Sequence, residues 1–405
     1  MDTPLDRDQF PVTRNYVYLN HAGVAALPKV AARRMTEVVT SFMGEGVLAE
    51  TRFAERAGEV RRTAAWLMGV PEEDVALVKN TTEGLSFVAN GLEWEPGDRV
   101  LIPEGDFPSL VWPFLTLNDV GVRVDTVRPR GEGRALTIDD FAKALAGGGA
   151  KLVAVSWVDY QTGWRVDLAA LASLCHEFGA LLCVDAIQGL GVIPAHFNQW
   201  GVDFAASGGH KWMLGPLGTG VLYVAGRHRD MLRVSEAGWN SVAHRYQWND
   251  LRWIPDPTAR RYEGGSMDLA AIAGLGSALE LLREAGVDNI WSHVDELCRH
   301  ACVRLLEAGA EIVSERAPEV RSGIVVFRVE GEAPDQIVAY LRERGFVCVP
   351  RGGGVRISPH AYNTIDEIDA LAEALASMRL KRTPRISGTS SRTIQPDHQP
   401  HRAVI

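Results

Sequence analysis

An acid at the end of one apolar run and a lysine just past the end of the next are the residues of this chain best suited to chemistry. The run Leu181 to Val184 has the length and composition of a buried parallel strand; it stops at Asp185, and Gln188 follows. A second run, Val202 to Ala206, opens into Ser207, two glycines, His210 and Lys211. Open α/β sheets bind ligands at the carboxyl ends of their strands, so both groups stand at a ligand address. One chemistry needs both. A lysine holds an aldehyde cofactor as a Schiff base, and a carboxylate keeps its pyridine nitrogen protonated so that the ring acts as an electron sink. Gln188 is then placed to hydrogen-bond a ring hydroxyl. Each residue also has an ordinary reading, Lys211 as a solvated loop residue and Asp185 as a helix N-cap.

In VDAIQ (184–188) and SGGHKW followed by GP and spaced glycines (207–220), Asp185, Gln188, His210 and Lys211 fall in an order and at intervals that resemble a known signature. It is that of the class V aminotransferase superfamily of pyridoxal-phosphate enzymes, which includes cysteine desulfurases, kynureninases, isopenicillin-epimerase-like proteins and transaminases. The resemblance implies an α/β protein of the PLP-dependent transferase fold (fold-type I), with a large mostly parallel sheet domain and a smaller α+β C-terminal domain. It implies pyridoxal 5'-phosphate as cofactor, Lys211 as the catalytic Schiff-base lysine, and Asp185, Gln188, Ser207 and His210 around the cofactor.

The elements that must position these groups are legible on both sides. YVYLNHAGVAALP (16–28) resembles the family opening that lies over the substrate, which makes His21 a substrate-side candidate. Residues 1–15 read as a loosely packed polar lead-in. Val30 to Met68 has the apolar spacing of two amphipathic helices. A strand over Asp74 to Lys79 is followed by Thr81 and Thr82 at a helix start, where hydroxyls and backbone N–H groups make an anion site; the family holds the cofactor phosphate there. After a strand at Arg99 to Ile102, Phe107 is the candidate to stack on the cofactor ring, with Ser109 beside it. Lys151 to Val158 is a further buried strand, and Tyr160 after it is a substrate-binding candidate. A loop rich in aromatics contains Trp239, a candidate for the substrate pocket or an interface. RRYEGGS (260–266) resembles the element that family dimers contribute to the partner's phosphate site, so Ser266 is carried over and a homodimer with shared active sites is implied. VRISPHAYNT (355–364) resembles the family motif whose arginine clamps the substrate α-carboxylate, a task that suits the planar fork of Arg356.

The expected organisation is a substrate-site segment over 1–28, a large cofactor-binding domain over 29–288, a small domain over 289–380 and a disordered polar tail over 381–405. A net charge of -9 with no basic, aromatic-interleaved patch argues against a nucleic-acid binder. No leader and no apolar run long enough to span a bilayer is seen, so the expectation is a cytoplasmic protein without a membrane partner. Five cysteines without a secretion signal read as free thiols, and the Cys298, His300, Cys302 cluster lacks converging ligands for a metal. Desulfurases place a nucleophilic cysteine on a loop before the carboxylate arginine; here that loop has none, and Cys348 ends an apolar strand, which disfavours persulfide transfer. The expected reaction is therefore a lyase-type cleavage at Cβ of an amino acid or derivative, with transamination or epimerisation as alternatives. A non-catalytic scaffold of the same fold stays open as an alternative of another class.

Overall fold

The computed structural model describes residues 3–129 and 135–382. Its strands, in chain order, are β1 (Val17–Tyr18), β2 (Val75–Val78), β3 (Arg99–Pro103), β4 (Arg123–Val127), β5 (Ala150–Ser156), β6 (Leu181–Asp185), β7 (Phe204–Gly208), β8 (Gly220–Val224), β9 (Glu311–Ile312), β10 (Val325–Arg328), β11 (Phe346–Val347), β12 (Val349–Arg351) and β13 (Gly354–Ile357). Seven of them form one sheet in the order β2-β8-β7-β6-β5-β3-β4. Only β8 in this sheet is antiparallel to its neighbours. The inner strands are largely buried apolar runs, as a sheet covered on both faces requires, while the edge strand β4 is partly exposed and carries Arg123 and Asp125.

The topology places the site. With β8 reversed, the other six strands point the same way, so the loops after β2, β3, β5, β6 and β7 open on one edge. Those strand ends and the segments after them carry Thr81, Phe107, Tyr160, Asp185 and Lys211. β6 is the central strand, and its Asp185 lies opposite Ser156 on one side and Ala206 on the other.

A buried polar knot fixes β6 against β7. Asp203, with no exposed surface, accepts from the Leu182 N–H at 2.7 Å, His176 Nε2 at 2.9 Å, His228 Nε2 at 2.7 Å and Arg227 Nη2 at 2.5 Å. Burial would raise this carboxyl, but the bonds from His228, His176, Leu182 and Arg227 outweigh it and hold it at about 2. A depressed carboxylate stabilises the fold above its unfolded value and loses that contribution as pH falls toward its folded one. Asp203→Asn is expected to lower stability by about 1–3 kcal/mol at neutral pH, because it takes the charged acceptor away from the buried Leu182 N–H and the side-chain donors around it. It should also flatten the fall in urea midpoint below about pH 4. A variant as stable as wild type would show that the knot contributes nothing.

The smaller sheet runs β12-β13-β10-β9, antiparallel throughout, and β1 pairs in parallel with β11. The apolar run Phe346 to Val349, which reads in sequence as one strand, is divided between β11 and β12, in different sheets. The N-terminal residues are likewise better anchored than a polar lead-in. Leu5 and Phe10 are fully buried, Phe10 stacks on Tyr362 with ring centroids 3.9 Å apart, and Arg7 pairs with Glu367 at 2.8 Å. Two apolar side chains among many polar ones suffice to pin the segment. The last helix runs Ile365–Arg382, so the first two residues of the expected tail are helical; residues 383–405 lie outside the described residues. Among the described residues no helix is long and apolar enough to cross a membrane.

Candidate active site

Lys211 follows β7 after Gly209 and His210 and is half-buried. Burial lowers its amine to about 8; Asp185 works against that shift, while Arg356 and Arg351 add to it. Asp185 is buried, and burial raises its carboxyl; one oxygen accepts from the Ile187 N–H at 3.0 Å. A buried amine and a buried carboxylate at adjacent strand ends therefore both lie closer to neutrality than in water. That is the condition for a lysine that exchanges protons near pH 7. The turn after Lys211 is strained: Leu214 has φ 57°, a left-handed conformation unusual for a non-glycine, and its N–H donates to the Lys211 carbonyl at 3.0 Å.

Phe107 caps the helix Pro108–Leu115 and is exposed; its ring centroid lies 5.6 Å from Lys211 Nζ and 5.1 Å, edge to face, from Tyr160. An acid that sequence reasoning missed holds it there. Asp106 accepts from the Phe107 N–H at 2.6 Å, from Ser156 Oγ at 2.6 Å and from the Ser156 N–H at 3.1 Å, tying the loop after β3 to the end of β5. Ser109, in the first turn of that helix, is half-buried.

Thr81 opens the helix Thr81–Gly91, and Asn80 caps it by accepting from the Glu83 N–H at 2.9 Å. The Thr81 hydroxyl accepts from the Gly208 N–H at 2.8 Å, which docks this helix start on the end of β7. Thr82 is exposed one residue on. The first-turn N–H groups of both have no acceptor within the helix, so they offer an anion site beside the lysine loop. His210 is half-buried, and burial, reinforced by Lys211, lowers it to about 4; it is a neutral imidazole at pH 7.

Arg356 sits on β13 between β10 and β12 and is 3% exposed. Its Nη1 donates to the Tyr160 carbonyl at 2.7 Å and Nη2 reaches Asn20 Oδ1 at 3.4 Å, while the buried Nε has no hydrogen-bond partner. No carboxylate of the described residues forms an ion pair with it. Burial, with the charge of Arg351 added, lowers this guanidinium to about 10, while the negative charge of Asp159 works against that shift. A buried guanidinium with no carboxylate in contact and a free Nε can receive one.

Other expected contacts have different surroundings. Gln188 is engaged at both ends, donating to the Ala22 carbonyl at 3.0 Å and accepting from Trp212 Nε1 at 3.1 Å. His21 offers a substrate no surface. It is fully buried, its Nδ1–H donates to the Ser358 carbonyl at 2.8 Å, and its Nε2 accepts from the Tyr362 hydroxyl at 2.7 Å. Together with Asn363, which donates to the Tyr18 carbonyl at 3.2 Å, these bonds make the YNT motif a latch between the N-terminal segment and the strand of Arg356. Ser207 is also fully buried, and its hydroxyl meets the Gly208 carbonyl at 3.3 Å; the strand's alternation turns it into the sheet's packing. Trp239 and Ser266 line a cleft of ≈ 670 Å³ with Lys79, Glu83, Glu236 and Met267, a lining that does not include Lys211.

The chain is similar to known proteins over most of its length. The family model described as aminotransferase class-V matches residues 17–371. The chain belongs to the class V aminotransferase family. A relative from Methanothermobacter thermautotrophicus named a probable cysteine desulfurase is 29% identical over 397 residues, covering 91% of this chain and 96% of that protein. The cysteine desulfurase of Haloferax volcanii is 30% identical over 335 residues, covering 76% of this chain and 75% of that one. Among solved structures, the apo cysteine desulfurase of Thermococcus onnurineus NA1 matches with a TM-score of 0.83 at 24% identity, over 93% of this chain and 98% of that one. The fold is that of the family, and the protein is a pyridoxal-phosphate enzyme.

Proposed function

We propose that the protein is a lyase that cleaves a bond from Cβ of an amino acid, a C–S bond foremost, without a thiol of its own. One arrangement carries the reading: Lys211 and Asp185 at adjacent strand ends, together with the buried Arg356, whose Nε has no hydrogen-bond partner and which is in ion-pair contact with no carboxylate of the described residues. Its residues fit the cofactor. Asp185 would pair with the ring nitrogen, whose positive charge supplies what this buried carboxylate lacks. The helix start at Thr81 and Thr82 would take the phosphate, the exposed face of Phe107 would cover the ring, and Lys211 would hold the group covalently. When bound, pyridoxal phosphate serves as a sink for the electron pair left at Cα. Arg356 grips the substrate's carboxylate and so sets which Cα bond faces Lys211. Lys211 takes the Cα proton and can return it, and loss of the substituent at Cβ follows.

The relatives' names point to sulfur, while this chain's cysteines point away from a protein persulfide. Cys175, Cys183, Cys298 and Cys348 are buried and Cys302 is partly so. Burial pushes the Cys348 thiol up to about 12, which leaves essentially no thiolate at pH 7. Cys348→Ala is expected to retain wild-type turnover; a collapse of sulfur release in that variant would reinstate the persulfide route. Incubation with cysteine and other β-substituted amino acids tests the reaction itself. Pyruvate and ammonia are expected as products. Alanine instead would mark a desulfurase, and a keto acid with the substituent intact would mark a transaminase.

The same reading includes a cytoplasmic homodimer. The cleft containing Ser266 shares Lys79 and Glu83 with the approach to the helix start at Thr81, so a second copy seated there could add Ser266 to this phosphate site. Exposed apolar side chains that a monomer leaves in water support it: Met43 at 83%, Leu48 at 77% and Leu251 at 91% exposure. Sedimentation that gives a monomer at micromolar concentration would remove the dimer from the proposal.

A further inference from the structure

Successive carbonyls of the lysine loop are held from different directions. The His210 carbonyl accepts from the Ala25 N–H at 2.8 Å, and the Lys211 carbonyl accepts from the Leu214 N–H at 3.0 Å. The Trp212 carbonyl accepts from His360 Nε2 at 3.1 Å. The donors thus come from the N-terminal segment, from the strained turn itself and from the segment that follows β13. Trp212 is confined on its other sides too. Its indole N–H is taken by Gln188. A Cβ at Gly323 would lie 2.7 Å from its ring, and a Cβ at Gly191 would lie 2.5 Å from its carbonyl oxygen, so two further backbones rest directly on it.

His360 makes its bond in one form. The residue has no exposed surface, and its Nδ1 accepts from the Ala361 N–H at 2.8 Å. A neutral imidazole that accepts at one nitrogen carries its proton on the other, so the Nε2–H donates to the Trp212 carbonyl. Burial lowers this ring to about 4; the bond to Trp212 works against that shift and His293 adds to it. The imidazole is therefore neutral at pH 7. Its own backbone N–H donates to Asn363 Oδ1 at 2.8 Å, which anchors it in the YNT latch. Arg356 and His360 lie four residues apart, a stretch that spans at most roughly 14 Å when extended. One end of it carries the clamp and the other grips the peptide after Lys211. The left-handed Leu214 in that turn persists only where its surroundings over-determine it.

We propose that His360 is a positioning residue for Lys211, which holds the peptide after the lysine, and through it the direction of the amine, at a fixed reach from the strand of Arg356. This rests on the reading of Lys211 as the residue that binds the cofactor and moves the Cα proton. His360 is fully buried and acts through the loop.

The test is the rate at which the cofactor-free protein captures pyridoxal phosphate, followed from pH 6 to 10 in wild type, His360→Asn and His360→Gln. Asparagine keeps an oxygen for the Ala361 N–H but is too short for the Trp212 carbonyl, whereas glutamine carries an N–H to the position of Nε2. His360→Met, which fills the space of the ring without a donor, is the second variant that lacks the bond. A loosened loop admits water to the amine, while Asp185, Arg356 and Arg351, the charges that act on it, stay in place. The midpoint, near 8 in wild type, is expected to rise by about one unit in His360→Asn and His360→Met, and capture at pH 7 to slow about tenfold. His360→Gln should return both toward wild type. A merely structural role would lower the melting temperature and the fraction of protein that captures, with the midpoint unmoved. A wild-type midpoint in the variants without the donor, or a His360→Gln shifted as far as they are, overturns the inference. The reading of Lys211 fails separately, through a Lys211→Ala protein that captures pyridoxal phosphate as wild type does.

Discussion

Lys211→Ala is expected to leave a folded protein that develops no visible absorption band with pyridoxal phosphate and turns substrate over on the order of 10²–10⁴-fold more slowly, the usual worth of a positioned general base. The amine is the group at this sheet edge that can both hold the cofactor and move the Cα proton, so the two losses come together. Matching far-ultraviolet dichroism would exclude unfolding. A variant that keeps the band, or stays near wild-type turnover, would move both roles to another residue. The amine's environment also sets a pH dependence. Burial lowers Lys211 to about 8, helped by the charges of Arg356 and Arg351, and only the neutral amine attacks an aldehyde. The rate at which the cofactor-free protein captures pyridoxal phosphate should therefore rise with pH and level off above about 8. In Arg351→Gln one of the depressing charges is gone, so the midpoint should move upward. A flat profile between pH 6 and 9 would mean that the amine does not titrate there.

Much of this arrangement could be read in the chain because strand ends leave local marks. An apolar run that stops at a charged residue fixes the position of Asp185, and a run that opens into glycines fixes that of Lys211, since both depend on neighbours in sequence. Phe107, Thr81 and Arg356 stand in motifs of the same local kind, and the structure places each near the strand ends of Asp185 and Lys211 or the Tyr160 loop. What was illegible depends on contacts between distant segments. Nothing near His21 says that its two ring nitrogens are taken by Ser358 and Tyr362, more than three hundred residues away. Nor does Ser207 show in sequence which way its strand turns it. Asp106 looks like a loop acid until the end of β5 is brought beside it. The hairpin of Arg351 hides for another reason: its glycines resemble a flexible linker, whereas the backbones of Phe327 and Gln161 exclude any side chain there.

Arg356 allows function and stability to be separated, because its effects on the two should have opposite signs. A buried guanidinium loses much hydration and here recovers one short bond to the Tyr160 carbonyl, a long contact to Asn20 and nothing at Nε. Replacing a buried charge by an apolar group of similar volume is often neutral or stabilising by about 1–4 kcal/mol, against roughly 1 kcal/mol for the donor that Tyr160 loses. Arg356→Met is therefore expected to melt no lower than wild type in the ligand-free state, while KM for the amino acid rises on the order of 10²-fold through loss of a charged, two-point contact. Small carboxylates should raise the melting temperature of wild type and leave that of the variant unchanged, because only the wild-type native state binds them. Arg356→Lys should recover little of the KM, since an ammonium cannot reproduce the fork. If Arg356→Met instead melts far below wild type, the guanidinium is a structural bridge between β13 and the Tyr160 loop. The substrate's carboxylate would then have to be held elsewhere, with Arg351 the first place to look.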